Sequence, residues 1–280
     1  MRIKVSFKIA KLPILYRHRI MALIKEILFR SNPEYKEHLY PDKSSFHSKR
    51  IKPFTFSVAL PPNFVCKKEK FFLDEDVAVN DIVFYIPQNM NLFLFISSCD
   101  YEFIVNLYNG LLQMKEFDFD KSNGIKIIFD RVYLLNEKKI TTDQVVFKTV
   151  SPILIENREG KPILPMTCNA LLFNEQFNII HDKILRDLRE INGQKGSGLH
   201  KQLQFTPING TLKKQVVKHT LKGFREKTGK PFMLLTTFSG CFKLKGDPAD
   251  LQQLYQSGIG LRTGQGFGMV DVVKNLDQIC

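Results

Sequence analysis

The sequence predicts an α+β fold of two tandem ferredoxin-like units, each a βαββαβ chain whose antiparallel sheet is covered by helices on one face. Three observations carry that expectation. The length, 280 residues, exceeds what one hydrophobic core usually fills. In the first half, hydrophobic periods of two and of 3.6 alternate in the order strand, helix, strands, helix, strand. After residues 141–143 a similar order returns, which puts one unit at 1–140 and a second at 141–280. The repeat is one of architecture, without sequence self-similarity between the halves.

Residues 2–9 set Ile3, Val5, Phe7 and Ile9 against basic or polar neighbours, the period of a half-buried strand. Pro13 suits a helix start, and Ile14, Ile20, Leu23, Ile24, Ile27 and Leu28 continue at helical spacing up to Ser31-Asn32-Pro33. Residues 34–53 hold aromatics, histidines and bases without a sustained period, which predicts a short helical turn and then a loop. Loops of that length in compact domains usually carry function. Strands follow at 54–60, around 71–73, at 81–86 and at 92–96, then a helix on Phe103, Ile104, Leu107, Leu111 and Leu112, and a strand at 125–135. The second half offers a strand at 145–155, a helix at 169–189, a strand-rich stretch at 202–244, a helix at 248–255 and a closing strand at 269–273. Glycines at 193, 196 and 198 mark a flexible connection within it.

Charge narrows the function. The chain has 41 Lys and Arg against 28 Asp and Glu, a net +13, which favours a polyanionic partner. Residues 211–230 concentrate seven bases against one acid, among them Lys213, Lys214, Lys218, Lys222 and Arg225 beside His219. Lys43, Lys49, Arg50 and Lys52 form a second basic run free of acids. Residues 215–219 lack the period of an amphipathic helix, so nucleic acid is preferred to a lipid surface. No apolar run reaches the roughly 18 residues of a spanning helix, and the N-terminus lacks a secretory h-region. A soluble, cytoplasmic protein without a membrane partner is expected. Five widely spaced cysteines fit a reducing compartment. No Cys and His set has tetrahedral metal spacing, so neither metal nor cofactor is expected. Most of the 24 Phe are expected in the core, since no run of stacking aromatics typical of an RNA-recognition sheet is present.

The most distinctive local signal is five glycines in the eleven residues Gly258-Ile-Gly260-Leu-Arg262-Thr263-Gly264-Gln-Gly266-Phe-Gly268. Such a loop lets backbone approach a phosphate, with Arg262 and Thr263 at hand to complete the contact. It is not a phosphate-binding loop of the nucleotide-hydrolase type, because no Lys-Ser/Thr pair and no helix follow. A tight turn packed on a sheet is the plain alternative.

This loop, running into Phe267-Gly-Met-Val-Asp-Val-Val273, resembles the Gly-rich signature of the CRISPR-associated repeat-cleaving endoribonucleases, members of the RAMP superfamily. Phe147-Lys-Thr-Val-Ser-Pro-Ile153 is similar to the family's segment opening its second domain, residues 30–40 to its segment after the first helix, and Leu107-Tyr-Asn-Gly-Leu-Leu112 to its second-helix ending. The resemblance implies two ferredoxin-like domains related to RNA-recognition modules (RRM-like). It also implies metal-independent cleavage of precursor CRISPR RNA within the repeat, repeat RNA as partner, and a place beside other subunits of an RNA-guided interference complex. A single copy and a homodimer both stay open.

Such a cut needs a base for the 2′-OH, an acid for the 5′-oxygen and a cation for the phosphorane. By resemblance the family's histidine falls at Tyr40, and a phenol of pKa about 10 is only about one part in a thousand ionised at pH 7. Three explanations stand: His38 takes the role, His47 supplies it, or the chain is impaired and acts as a repeat-binding subunit. The expectation taken forward is His38 helped by His47. Lys49, Arg50 and Lys52 are candidates to hold the scissile phosphate. Lys25, near where some relatives place a tyrosine, reads as an exposed helical lysine. Arg17, the 213–225 bases with His219, and the loop positions Gly260, Arg262, Thr263, Gly264, Gly266 and Gly268 are candidates to contact RNA.

Overall fold

The computed structural model describes residues 1–41, 51–191, 193 and 196–273. The first unit opens with β1 (Arg2–Lys8), β2 (Lys11–Pro13), α1 (Arg17–Ser31) and α2 (Pro33–Leu39), followed by β3 (Phe54–Ala59), β4 (Val65–Phe72), β5 (Ala78–Tyr85) and β6 (Leu92–Ser98). It closes with α3 (Tyr101–Gln113), β7 (Glu116–Asp120) and β8 (Ile125–Leu135). Its main sheet runs β3-β6-β1-β8-β7, with β1 antiparallel to both β6 and β8. Removing the β7 extension leaves the ferredoxin-like order. Ile3, Val5 and Phe7 share one core with Ile20, Leu23, Ile24 and Ile27 of α1 and Phe103, Leu107 and Leu111 of α3.

Local chemistry sets the boundaries. The helix expected from Pro13 begins at Arg17 because Lys11–Pro13 pairs with β5, and the Ile14 N–H continues that pairing to the Ile82 carbonyl at 2.9 Å. Asn32 ends α1 in an extended conformation and caps α2, accepting the Tyr35 N–H, while Pro33 takes the first helical position. Asp100 caps α3 by accepting the N–H groups of Glu102 and Phe103.

The second unit comprises β9 (Gln144–Thr149), α4 (Ala170–Ile191), β10 (Gln204–Pro207), β11 (Lys213–His219), α5 (Lys222–Thr228), β12 (Met233–Ser239), β13 (Cys241–Lys245), α6 (Pro248–Ser257) and β14 (Val270–Val272). Its sheet order is β10-β13-β9-β14, the same ferredoxin-like arrangement, over a core that joins Phe147, Phe242 and Leu244 to Phe173 and Phe177 of α4 and Leu251 and Leu254 of α6. The two units share a further trait: each inserts a hairpin between its second and third ferredoxin strands, β4-β5 in the first and β11-β12 in the second. Among the described residues no helix is long and apolar enough to cross a membrane.

Two buried sets of bonds join the units. Arg2, on the β1 face away from the helices, sends Nη2 to the carbonyls of Tyr255 at 2.8 Å and Val270 at 2.5 Å, and its guanidinium stacks 3.6 Å over the Tyr255 ring. On β3, the Thr55 hydroxyl donates to the Phe267 carbonyl at 2.8 Å and Ser57 to that of Val150 at 3.0 Å. The inserted hairpins meet as well, through Lys218 with Asp81 and Arg225 with Asp74, both at 2.6 Å.

Candidate active site

The Gly-rich segment follows α6 and is folded against the first unit. Its backbone is pinned at both ends. The Gly260 N–H donates to His181 Nε2 at 2.9 Å, while His181 Nδ1–H donates to the Phe177 carbonyl at 2.7 Å. The Leu261 and Gly268 N–H groups donate to the Leu154 and Pro152 carbonyls, each at 2.8 Å. Gly266 sits at φ +85° against Phe56, where an added Cβ would come within 2.6 Å of the ring. At Gly264 a Cβ would come within 2.8 Å of Lys52 Cβ. Close approach to β3, rather than to a ligand, thus explains Gly266, and Gly268, at φ +76°, is closed in by the backbone of Ile259 within its own loop. The expected RNA contact by these two glycines is corrected accordingly; Gly260, Arg262, Thr263 and Gly264 remain on the wall of a cleft.

That cleft, about 670 Å³, lies between the units, with Met21, Tyr40, Ile51 and Lys52 on the first-unit side and residues 260–265 with Leu221 and Glu156 on the other. Tyr40 ends α2 and packs against the first core. Lys25 Nζ and Lys52 Nζ each stand 4.7 Å from the centre of its ring, and Lys52 Nζ also donates to the Leu39 carbonyl at 2.5 Å. The Tyr40 hydroxyl is buried with no hydrogen-bond partner, an arrangement that costs about 1–3 kcal/mol unless a ligand satisfies it. Burial pushes that hydroxyl well above the usual phenol range. Burial, and then the neighbouring Lys36, hold Lys25 below the usual lysine range. Opposite, Arg262 adopts φ +59°, a left-handed backbone that costs a non-glycine residue about 1 kcal/mol or more.

The candidate residues expected from the sequence separate in space. His38 lies exposed on the last turn of α2, two positions from Tyr40 and so about 200° round the helix from it. His47, Lys49 and Arg50 lie outside the described residues. Lys213, Lys214 and Lys222 are exposed. Lys218 and Arg225 are corrected: their charges are taken by Asp81 and Asp74 in the clasp between hairpins. His219 is corrected too, being 1 % exposed with Nε2 facing Gln265 Oε1 at 3.0 Å. Arg17 is half-buried, 5.0 Å from the Phe267 ring, with Nε 3.5 Å from the Gly266 carbonyl. Lys25 is the residue that spacing undervalues, since only the fold turns it onto Tyr40.

Two other features compete with the cleft. A larger cavity of about 820 Å³ between the inserted hairpins sets Asp74, Glu75, Asp76, Asp118 and Glu226 against Arg19, Lys121, Lys222, Arg225 and Lys230, a balance of charge that offers no surplus to a polyanion. Among the described residues one group, His200, Asp247 and Asp250, has metal-ligand geometry, but Asp250 is bound to the Arg189 guanidinium at 2.5 Å. The open face of the first sheet carries a different surplus. Register places Lys4 between Phe95 and Tyr133, with Lys4 Nζ 3.8 Å above the Phe93 ring and Tyr133 exposed. These aromatics depart from the core role expected for most Phe.

Buried histidines give the molecule a defined acid limit. Burial holds His181 down to about 4; burial with Arg17 and Arg262 does the same for His219, about 4; burial with Arg19 takes His18 to about 3. In the unfolded chain each protonates near 6.5. Their stabilisation is therefore complete above that value and declines as pH falls toward 4, by roughly 1 kcal/mol per pH unit for each group. The denaturant midpoint is expected to drop between pH 6.5 and 4; a midpoint flat across that window would contradict neutral burial.

Comparison with known proteins agrees with this architecture. Residues 135–272 match the family described as CRISPR associated protein Cas6, C-terminal. Three solved structures share the fold over 98 % of this chain. One, described as an RAMP protein binding different RNA substrates, has 19 % identity and a TM-score of 0.66, with all of that chain covered. The product of a Cas6-related gene from Pyrococcus furiosus has 20 % identity and a TM-score of 0.64, and a protein described as CRISPR associated protein Cas6 has 21 % and 0.63, each covered over 99 %. No curated protein matches the chain.

Proposed function

Because residues 135–272 match the family described as CRISPR associated protein Cas6, C-terminal, we propose that the chain is a member of that family and an endoribonuclease that cuts precursor CRISPR RNA within the repeat without a metal ion. The observation that carries this reading is the cleft between the units, where Lys25 Nζ and Lys52 Nζ each stand 4.7 Å from the Tyr40 ring centre and residues 260–265, Arg262 among them, line the other wall. In the proposed reaction the 2′-oxygen bonds to phosphorus as the bond to the 5′-oxygen breaks. One proton leaves the 2′-OH for a base and another reaches the leaving oxygen, giving a 2′,3′-cyclic phosphate and a 5′-hydroxyl.

Lys25, whose neutral form is favoured by burial and by the neighbouring Lys36, is the base proposed to accept the 2′ proton. Tyr40 keeps its proton, because burial raises its pKa, and donates to a non-bridging oxygen. Lys52 serves the leaving oxygen, and Arg262 steadies the phosphorane charge from the opposite wall. In this scheme the acid–base part expected of His38 passes to Lys25 as base and Lys52 as acid. The Lys4, Phe93 and Tyr133 surface offers unpaired bases beyond the cut a place to stack.

Incubation with repeat RNA in excess chelator is expected to give the cyclic phosphate product. A 2′-deoxy nucleotide at the cut should abolish cleavage and leave binding intact. Absence of both cutting and tight binding would reject the proposal, and binding without turnover would make the chain a repeat-binding subunit. A second outcome follows from the base. Protonated Lys25 cannot accept a proton, so the single-turnover rate is expected to rise about tenfold per pH unit until pH passes the lowered Lys25 pKa, and to lose that rise in Lys25→Arg. A rate independent of pH between 6 and 9 would remove Lys25 from the role.

A further inference from the structure

Arg262 is held from within its own loop. The Gln265 N–H donates to the Arg262 carbonyl at 2.8 Å, and Gln265 Oε1 lies 3.5 Å from Arg262 Nη1. The same oxygen lies 3.0 Å from His219 Nε2. An amide oxygen accepts and cannot donate, so this contact requires hydrogen on Nε2 and leaves Nδ1 a bare acceptor. Nδ1 is indeed buried with no partner. His219 is fixed in turn: it ends β11 opposite Met233, and its ring meets Phe267 edge-on at 5.9 Å. Its buried position keeps the ring neutral at pH 7, so it acts as a directed donor and adds no charge.

Gln265 Oε1 therefore faces two donors, one from a rigid buried ring and one from a long, otherwise adaptable side chain on a strained backbone. We propose that Gln265, oriented by His219, is the positioning residue that holds the Arg262 guanidinium over the cleft, in place for the charge that develops on the phosphate beside Tyr40 and Lys52. The assignment rests on the transesterification proposed above. Its physical content is preorganisation. Arginine loses much rotamer freedom when fixed, and a cation that must be recruited during the reaction stabilises the transition state less than one already in place.

The 280-residue chain tests this with repeat RNA cleaved under single-turnover conditions and with 2′-deoxy repeat RNA for equilibrium binding. Gln265→Ala is expected to slow cleavage about 10- to 100-fold with affinity changed by less than about threefold, the split expected when an interaction acts mainly in the transition state. Gln265→Glu should restore most of the rate, because its carboxylate accepts from the same two donors. His219→Phe keeps a ring against Phe267 but has no N–H, and should fall between wild type and Gln265→Ala. Thermal midpoints of the variants identify any that are slow through misfolding. Gln265→Ala and His219→Phe cleaving at the wild-type rate while Arg262→Ala is slow would overturn the positioning role. So would a folded Gln265→Glu no faster than Gln265→Ala. Normal cleavage by Arg262→Ala would remove the cation being positioned, and with it the proposal. Failure of the wild-type chain to cut repeat RNA would instead reject the reaction itself.

Discussion

Replacing Lys52 by alanine is expected to slow repeat cleavage by about 10²–10³-fold, the usual loss when one preorganised donor leaves a developing charge, while affinity for uncleavable repeat RNA falls only a few-fold. Lys52 enters the cleft from the segment leading into β3, and its ammonium is directed by the Leu39 carbonyl and the Tyr40 ring. Alanine removes the charge and the donor together. Lys52→Arg keeps a cation but its planar fork has a different reach, so it should recover part of the rate. Equal cleavage by wild type and Lys52→Ala would move the chemistry away from Tyr40. Tyr40→Phe sharpens the comparison, since it removes one oxygen and leaves the ring on which both lysines rest.

The second large effect is on stability. Arg2→Leu is expected to cost about 3–5 kcal/mol, the range for breaking a buried charged network from one side. Arg2 is 5 % exposed, serves two carbonyls of the second unit, stacks on Tyr255 and lies 3.7 Å from Asp271. Leucine fills part of the volume but takes the guanidinium away from both carbonyls, while Asp271 keeps Lys138 at 3.3 Å and the Val272 N–H. Far-ultraviolet circular dichroism in urea should show a lower midpoint, with the transition broadening as the units uncouple. A midpoint within the error of wild type would mean that the apolar contacts around Arg2 suffice to join them. Arg2→Lys keeps the charge but cannot span both carbonyls with one planar group, so an intermediate loss is expected.

What the sequence displays and what it hides follow from burial. The ferredoxin-like order is readable because β1, β6, α3 and α6 each bury one face, and their apolar residues fall at the matching period. The inserted elements are not. α5 buries none of its seven residues, so it has no apolar period to read, and β4 is mostly exposed and lysine-rich, as suits an edge strand that must not pair with another chain. β7 is short, with its burial at one end. At the site, the loop and Lys52 stand out by composition and resemblance. Lys25 does not, because a half-buried lysine on a helix looks like any other until α2 lays Tyr40 over it. His219 and Lys218 mislead for the opposite reason: a basic run suggests an open surface, whereas strand pairing turns alternate residues toward different neighbours. Whether Lys218 meets solvent or Asp81 depends on a hairpin more than a hundred residues away in the chain.

The paired insertions bear on how a substrate enters. Asp74 and Asp81 from one lobe grip Arg225 and Lys218 from the other, while Arg2, Thr55 and Ser57 tie the lobes from within. With clasps of this kind, widening the cleft between the lobes requires these ion pairs and hydrogen bonds to give way. For the RNA substrate proposed here, a strand already bent to the cleft's shape is therefore expected to enter faster than one that must first rearrange.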